Sequence, residues 1–238
     1  MSNTLAIARR ELSSFFFSPI AYLVMCGFLM LSGLFFMLTV FATGQPAEMR
    51  NLFFWMVWIL IIVVPAISMR LVSEELRSGT IESLMTSPIS DVQVILGKWL
   101  GGLMFFVALL ATTLSLVFVL ALWSQPDYGP VFTGYLGLIL VGGLYMAIGT
   151  FASVLTRNQI IAFLLTIFLI LLLTVVTYFL PRLLPPEWSA AAYYLNVNEQ
   201  YDDFSKGLID TSNFVYFISG IALFLVLAVK ALESRKWR

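Results

Sequence analysis

Ionisable side chains are scarce in this chain, so where they gather decides which chemistry is open to it. Six of the 22 residues in "RLVSEELRSGTIESLMTSPISD" are ionisable: Arg70, Glu74, Glu75, Arg77, Glu82 and Asp91. A second acidic group, Glu199, Asp202, Asp203 and Asp210, lies far downstream. Grouped carboxylates serve as general acid and base, or hold a cation through oxygen. The chain has no histidine, and Cys26 is its single cysteine. Imidazole acid–base chemistry, Cys/His metal sites and intramolecular disulfides are therefore excluded. A metal at the second acidic group would have oxygen ligands only and be weakly held, so no metal site is expected. "LGKWLGG" offers Gly97-Lys98, but no Ser or Thr follows the lysine and no glycine stands at the earlier position a phosphate-cradling loop requires. The chain is not expected to hydrolyse nucleotide or to hold a cofactor of its own.

The elements that must position these groups are apolar. Hydrophobic residues make up 61% of the 238 and charged ones 11%, against about a quarter charged in a soluble domain. The mean hydropathy is +0.97. The class is an all-α integral membrane protein, one membrane domain over residues 1–238. Zero net charge leaves no basic face for nucleic acid. A bilayer core of about 30 Å needs about 20 apolar residues per helix. Six runs qualify: Ile20 to Thr43, Asn51 to Met69, a stretch within Trp99 to Gln125, Val131 to Thr156, Asn158 to Leu180 ended by Pro181, and Asn213 to Val229. Residues 1–18 read as an amphipathic lead-in rather than a cleavable signal, with Arg9, Arg10 and Glu11 toward headgroups and Leu5, Ile7, Leu12 and Phe15 to Phe17 toward lipid. An ordinary basic flank of the first span is the alternative.

Placing the N-terminus in the cytoplasm puts ten Lys and Arg inside and three (Arg50, Arg182 and Lys206) outside. That positive-inside bias makes both termini and the polar stretch cytoplasmic, and residues 181–212 an external loop, with a short helix expected over Glu199 to Asp210.

The polar stretch cannot enter hydrocarbon: six charges at roughly 3 kcal/mol each would cost on the order of 18 kcal/mol. Its grammar is that of an elbow. Span 2 extends through "SEELRS" to a weak point at Gly79. "TIESLMT" forms a short crosswise helix with Ile81, Leu84 and Met85 on one stripe, and Pro88 stops it. Ser90 and Gln93 then make a capping box for a helix that runs into span 3, with Asp91 favouring its N-terminus. Apolar residues beside acids on a short exposed helix suit a docked soluble partner; a solvated loop is the alternative.

"MRLVSEELRSGTIESLMTSPISDVQVILGKWLG" resembles the signature of type 2 ATP-binding-cassette (ABC) permeases. "ARRELSSFFFSPIAYLV", "LTRNQI" and "FSKGLIDTSNFVYF" are similar to one branch, the gliding-motility GldF-like permeases. The resemblance covers nearly the whole chain. It implies a multi-pass protein of the bacterial inner membrane, an exporter subunit whose residues 79–88 form a coupling helix. Glu74, Glu75, Gly79, Thr80, Glu82 and Pro88 match the pattern, and Arg77, Ile81, Leu84 and Met85 share its surface. ATP and Mg would sit in separate ABC ATPase subunits. A second permease subunit, as homodimer or heterodimer, and a GldG-like periplasmic companion are the other implied partners. The rival readings are a membrane scaffold of an envelope complex and a membrane enzyme using the outer acidic group.

None of the proposed spans holds Asp, Glu, Lys or Arg in its body, which argues against ion-coupled transport. Pro65 in "IIVVPAISM" removes a helix hydrogen bond and marks either a hinge or a static kink. Gly97 with Gly101, and Gly149 with Ser153, are small-xxx-small pairs that favour close helix packing. Thr112, Thr113, Ser115, Thr166, Thr174 and Thr177 either line a path or bond their own backbone. Cys26 reads as a small packed apolar residue.

Overall fold

The computed structural model describes residues 3–41, 48–80, 89–183, 185 and 194–235. Among these every element is helical: α1 (Asn3–Phe16), α2 (Pro19–Thr39), α3 (Arg50–Ser68), α4 (Ser73–Ser78), α5 (Asp91–Thr112), α6 (Leu114–Trp123), α7 (Tyr128–Leu155), α8 (Gln159–Leu171), a π-helical turn (Leu172–Val176), α9 (Thr177–Leu183), α10 (Val197–Ser205) and α11 (Thr211–Arg235). Helices alone satisfy the backbone of an open apolar chain in lipid. Six are long and apolar enough to cross a bilayer: α2, α3 with α4, α5 with α6, α7, Gln159–Phe179 and α11.

Local chemistry sets the helix starts. Asp127 accepts from Gly129 N at 3.0 Å, Asn158 from Ile160 N at 2.9 Å and Asn196 from Asn198 N at 2.9 Å, each occupying a backbone donor that the first turn leaves unpaired. Pro19 stands in the first turn of α2, where its missing N–H costs nothing.

The core runs along α7, which α3, α5, α8, α10 and α11 surround. Every residue from 141 to 150 is buried. Small residues let the neighbours close in: a Cβ on Gly142 would stand 2.0 Å from the Phe106 ring. In lipid this dispersion contact replaces the hydrophobic drive as the source of helix association. α2 is peripheral and packs mainly on α3, with Leu23, Met30, Met37 and Leu38 outward. Cys26 also faces outward, not into a packed interior as its small size had suggested.

The helix expected from the Ser90/Gln93 capping box starts at Asp91 and runs into span 3. Two boundaries differ from the sequence reading. Helix continues past Pro181 to Leu183, since a proline two residues from a helix end removes a single backbone bond. Within 181–212, α10 covers Val197–Ser205 and α11 begins at Thr211.

The hydroxyls in the spans bond backbone. Thr112 donates to Leu109 O and Thr113 to Leu110 O, both at 2.7 Å; Ser115 donates to Thr112 O and Thr166 to Ala162 O, also at 2.7 Å. Thr174 and Thr177 donate to Ile170 O and Leu173 O across the π-helical turn.

Candidate functional site

The described parts of the polar stretch, residues 70–80 and 89–91, belong to two helical stems. The entering stem is α3 followed by α4, which stops at Gly79 in the left-handed region (φ 74°). A side chain there would be strained, so the glycine ends the stem cleanly. Glu74, Arg77, Ser78 and Thr80 are exposed beside it. Ile81, Glu82, Leu84, Met85 and Pro88 lie outside the described residues. The leaving stem opens with the capping box: Ser90 Oγ accepts from Gln93 N and Gln93 Oε1 accepts from Ser90 N, each at 3.3 Å.

Pro65 is buried in the last turn of α3, and the helix does not break there. Met69 N still donates to Pro65 O at 2.9 Å. The chain leaves helical geometry four residues later, over 69–72. Ser153 of α7 holds this break. Its Oγ accepts from Val72 N at 3.0 Å and Ser73 N at 2.9 Å, and donates to Met69 O at 3.0 Å. One hydroxyl thereby uses its whole capacity, one donor and two lone pairs, on backbone groups that the bend sets free. One turn away, a Cβ on Gly149 would fall 1.9 Å from Ser68 Oγ and 2.5 Å from Ser68 Cβ. Gly149 and Ser153 thus form the seat for the end of α3.

Between α1, α4 and α5 the structure gathers four charges that no spacing in the sequence brings together. Lys98, one turn below Ile95 on α5, is 1% exposed. Its Nζ is 2.9 Å from Glu11 Oε1 and 2.9 Å from Glu75 Oε1. Arg10 closes the group at 2.8 Å from Glu75 and 3.2 Å from Glu11. A buried ammonium is tolerated only when paired in this way. Glu75 Oε2 is buried without a hydrogen-bond partner. Glu75 therefore points inward and joins the entering stem to the leaving stem, whereas Glu74 faces out.

The lead-in helix is held by the same cluster, which corrects its expected placement against lipid. Ile7, Ala8 and Phe15 are buried on protein, and Glu11 faces Lys98 instead of headgroups. The reason is the Gly97/Gly101 pair. A Cβ on Gly97 would stand 2.7 Å from Ile7 Cβ, and one on Gly101 2.6 Å from Glu11 Cβ and 2.9 Å from Ala8 O. The notch they leave in α5 is filled by α1. Phe15 stacks on Phe105 at 4.8 Å, and Arg70 lies over the other side of the contact, 4.3 Å from the Phe15 centroid and 3.2 Å from Ser14 Oγ. Arg9 and Phe17 remain exposed, as expected. A cleft of about 360 Å³ opens among Arg10, Ser14, Arg70, Glu74, Thr80 and Lys98.

At the opposite end, the second acidic group is largely occupied with structure. Asp202 binds Arg50 at 2.9 Å and also Lys206. Burial works to raise its pKa, but those hydrogen bonds and charges outweigh it and hold the carboxyl below its ordinary value. Asp203 accepts from Asn213 Nδ2 at 3.0 Å, and Asp210 accepts from Ser212 N at 2.9 Å. Among the described residues no cluster of three or more metal-ligating side chains forms.

The sequence reading missed Arg10, Glu11, Arg70 and Lys98 as site residues. The contacts that assemble them, Arg70 with Ser14, Arg10 with Glu75 and Lys98 with Glu11, join residues 56, 65 and 87 positions apart, beyond any periodicity. A lysine directly after the first glycine of a G-x-x-x-G pair was the one local signal, and the sequence reading weighed it only as a phosphate loop, which it rejected.

No curated protein matches the chain. Residues 20–237 match the family described as ABC-2 family transporter protein. Six apolar helices and a family match over most of the length agree, and the chain belongs to the ABC-2 family of transporter membrane proteins.

Proposed function

We propose that this chain is the permease subunit of an ATP-driven exporter of the bacterial inner membrane, coupled through residues 79–88 to separate ABC ATPase subunits. The observation that carries this is the Lys98–Glu75 pair, 2.9 Å long with the lysine buried, which ties the stem ending at Gly79 to the stem starting at Asp91. A push on 79–88 then moves α4 and α5 as one body, and the bend at 69–72 is where that body can turn against α3. Pro65 contributes by removing one backbone bond just above the bend. The ATPase supplies differential contact with two positions of the elbow, which is what coupling requires. Both termini and the elbow face the cytoplasm, as the ten-to-three distribution of basic residues supports. A second permease subunit completes the membrane part, and the GldF-like segments favour a GldG-like periplasmic companion.

The test is Glu82→Lys and Leu84→Asp in the native host. Both proteins should insert normally and lose the ATPase on co-purification, or retain it with hydrolysis no longer responsive to the permease. Two variants that keep a normally regulated ATPase would exclude 79–88 as the docking element.

A further inference from the structure

The cleft of about 360 Å³ beside α1 and α4 is lined by charges of both signs, and only described residues line it. The two spans that it adjoins set its depth. Residues 51–69 carry no charge, and Arg70 is the first ionisable side chain after them. Residues 99–126 carry none either, and Lys98 is the last ionisable side chain before them. Both line the cleft, which therefore lies where spans 2 and 3 pass from lipid to water. Arg70 is held in place: its guanidinium lies 4.3 Å from the Phe15 ring centroid and donates to Ser14 Oγ at 3.2 Å. A positioned guanidinium suits phosphate oxygens, and the Ser14 hydroxyl that accepts from it has a hydrogen of its own to give. Glu74 and Glu75 line the same cleft. Glu75 Oε1 takes both Lys98 and Arg10, but Oε2 is buried with no hydrogen-bond partner. A carboxylate oxygen in that state carries a desolvation cost that an N–H donor removes. Just beyond Ser14 in the chain, Phe16 and Phe17 are 36% and 88% exposed, so apolar surface adjoins the polar cleft.

We propose that this cleft binds a phosphoethanolamine group, a phosphodiester joined to a primary ammonium, carried by a phospholipid or by its free glycerol diester. The phosphate sits on Arg70 and Ser14. The ammonium meets Glu74 and Glu75 and supplies the donor that Glu75 Oε2 lacks. A phosphate alone meets those two carboxylates as like charges, and a cation alone meets Arg70 and Lys98. A trimethylammonium head balances the charges but has no N–H to give. The exposed Phe16 and Phe17 favour the lipid as the source, since acyl chains cover them. Once bound, the group bridges α1 to the chain around α4 and adds to the ion pairs already there. The binding does not depend on the permease reading. It is measured without ATPase or nucleotide, so the two stand or fall separately.

The experiment titrates the full chain, delipidated in maltoside micelles, with phosphatidylethanolamine, phosphatidylcholine and phosphatidylglycerol of equal chain length, and reads bound lipid by native mass spectrometry. Phosphatidylethanolamine should bind about tenfold tighter than either of the others. Glu75→Gln keeps an oxygen for Lys98 and puts an amide N–H group where Oε2 stood, so the preference should vanish. Glu74→Gln changes an exposed side chain and should narrow the preference over phosphatidylcholine to about threefold, without weakening phosphatidylcholine itself. Arg70→Gln should weaken both of those lipids alike. Melting curves taken without lipid show which variants fold, and Glu74→Gln decides the matter if Glu75→Gln does not. Equal affinity for the three lipids, tighter binding of phosphatidylglycerol, or an undiminished preference in Glu74→Gln overturns the proposal. Displacement of bound lipid by glycerophosphoethanolamine at equal concentration supports the chemistry with the free diester as its source. Displacement only at about a hundredfold excess or more supports it with the lipid as its source.

Discussion

Replacing Lys98 by methionine removes the one cation that is sealed between α1, α4 and α5. The side chain is nearly isosteric, so packing changes little and the electrostatic loss dominates. Glu11 and Glu75 would face each other with only Arg10 between them, and Arg10 is 55% exposed. Removing one member of a buried pair costs about 3–5 kcal/mol, because the remaining charge stays desolvated. The two carboxylate side chains keep 13% and 17% of their surface open, which places the cost at the lower end, about 3 kcal/mol. At roughly 2–4 °C per kcal/mol for a chain of this size, the melting temperature should fall by roughly 6–12 °C. Thermal unfolding of the detergent-solubilised protein measures this. Adding Glu11→Gln and Glu75→Gln to Lys98→Met removes every stranded charge but Arg10, and much of the loss should return. Trypsin should cut at Arg9 and Arg10 faster in the single variant, because α1 loses its anchor. A single variant that melts and resists trypsin like the parent, or a triple variant less stable than the single, would refute the idea that this cluster joins α1, α4 and α5.

The other expectations are local. Gly149→Ala puts a methyl 1.9 Å from Ser68 Oγ and should cost about 1–3 kcal/mol; Ser68→Gly on the same chain should recover most of it, read by the same melting curves. Ser153→Ala strands two buried N–H groups at the bend, those of Val72 and Ser73, and should cost about 2 kcal/mol or more, with faster amide exchange at both. Asp202 has its pKa lowered in the folded protein, so its contribution is complete above the unfolded carboxylate value of about 3.9 and is lost as pH falls below it. Exchange protection of α10 should therefore be flat from neutral pH down to about that value and drop only in stronger acid, and Asp202→Asn should abolish the drop.

How far the sequence reaches differs from residue to residue. Hydrophobic run length alone set the six spans, since a helix must be about 20 apolar residues long to cross lipid whatever its neighbours are. The start of α5 was equally local, because Ser90 bonds backbone three residues away. Composition by itself removed histidine chemistry, and the residues around Gly97-Lys98 removed a phosphate loop. Other features needed the packed chain. Gly97 and Gly101 announced a close contact, but only the fold chose α1 as the helix that fills their notch, a contact across some ninety residues. Pro65 marked the region of a bend, yet the bend sits where Ser153 supplies three hydrogen bonds, because unpaired backbone must be answered by a partner from elsewhere. Glu75 and Glu74 are adjacent and chemically alike in the sequence; one faces water and the other faces Lys98 because consecutive helical positions point about 100° apart and only one direction holds a buried cation.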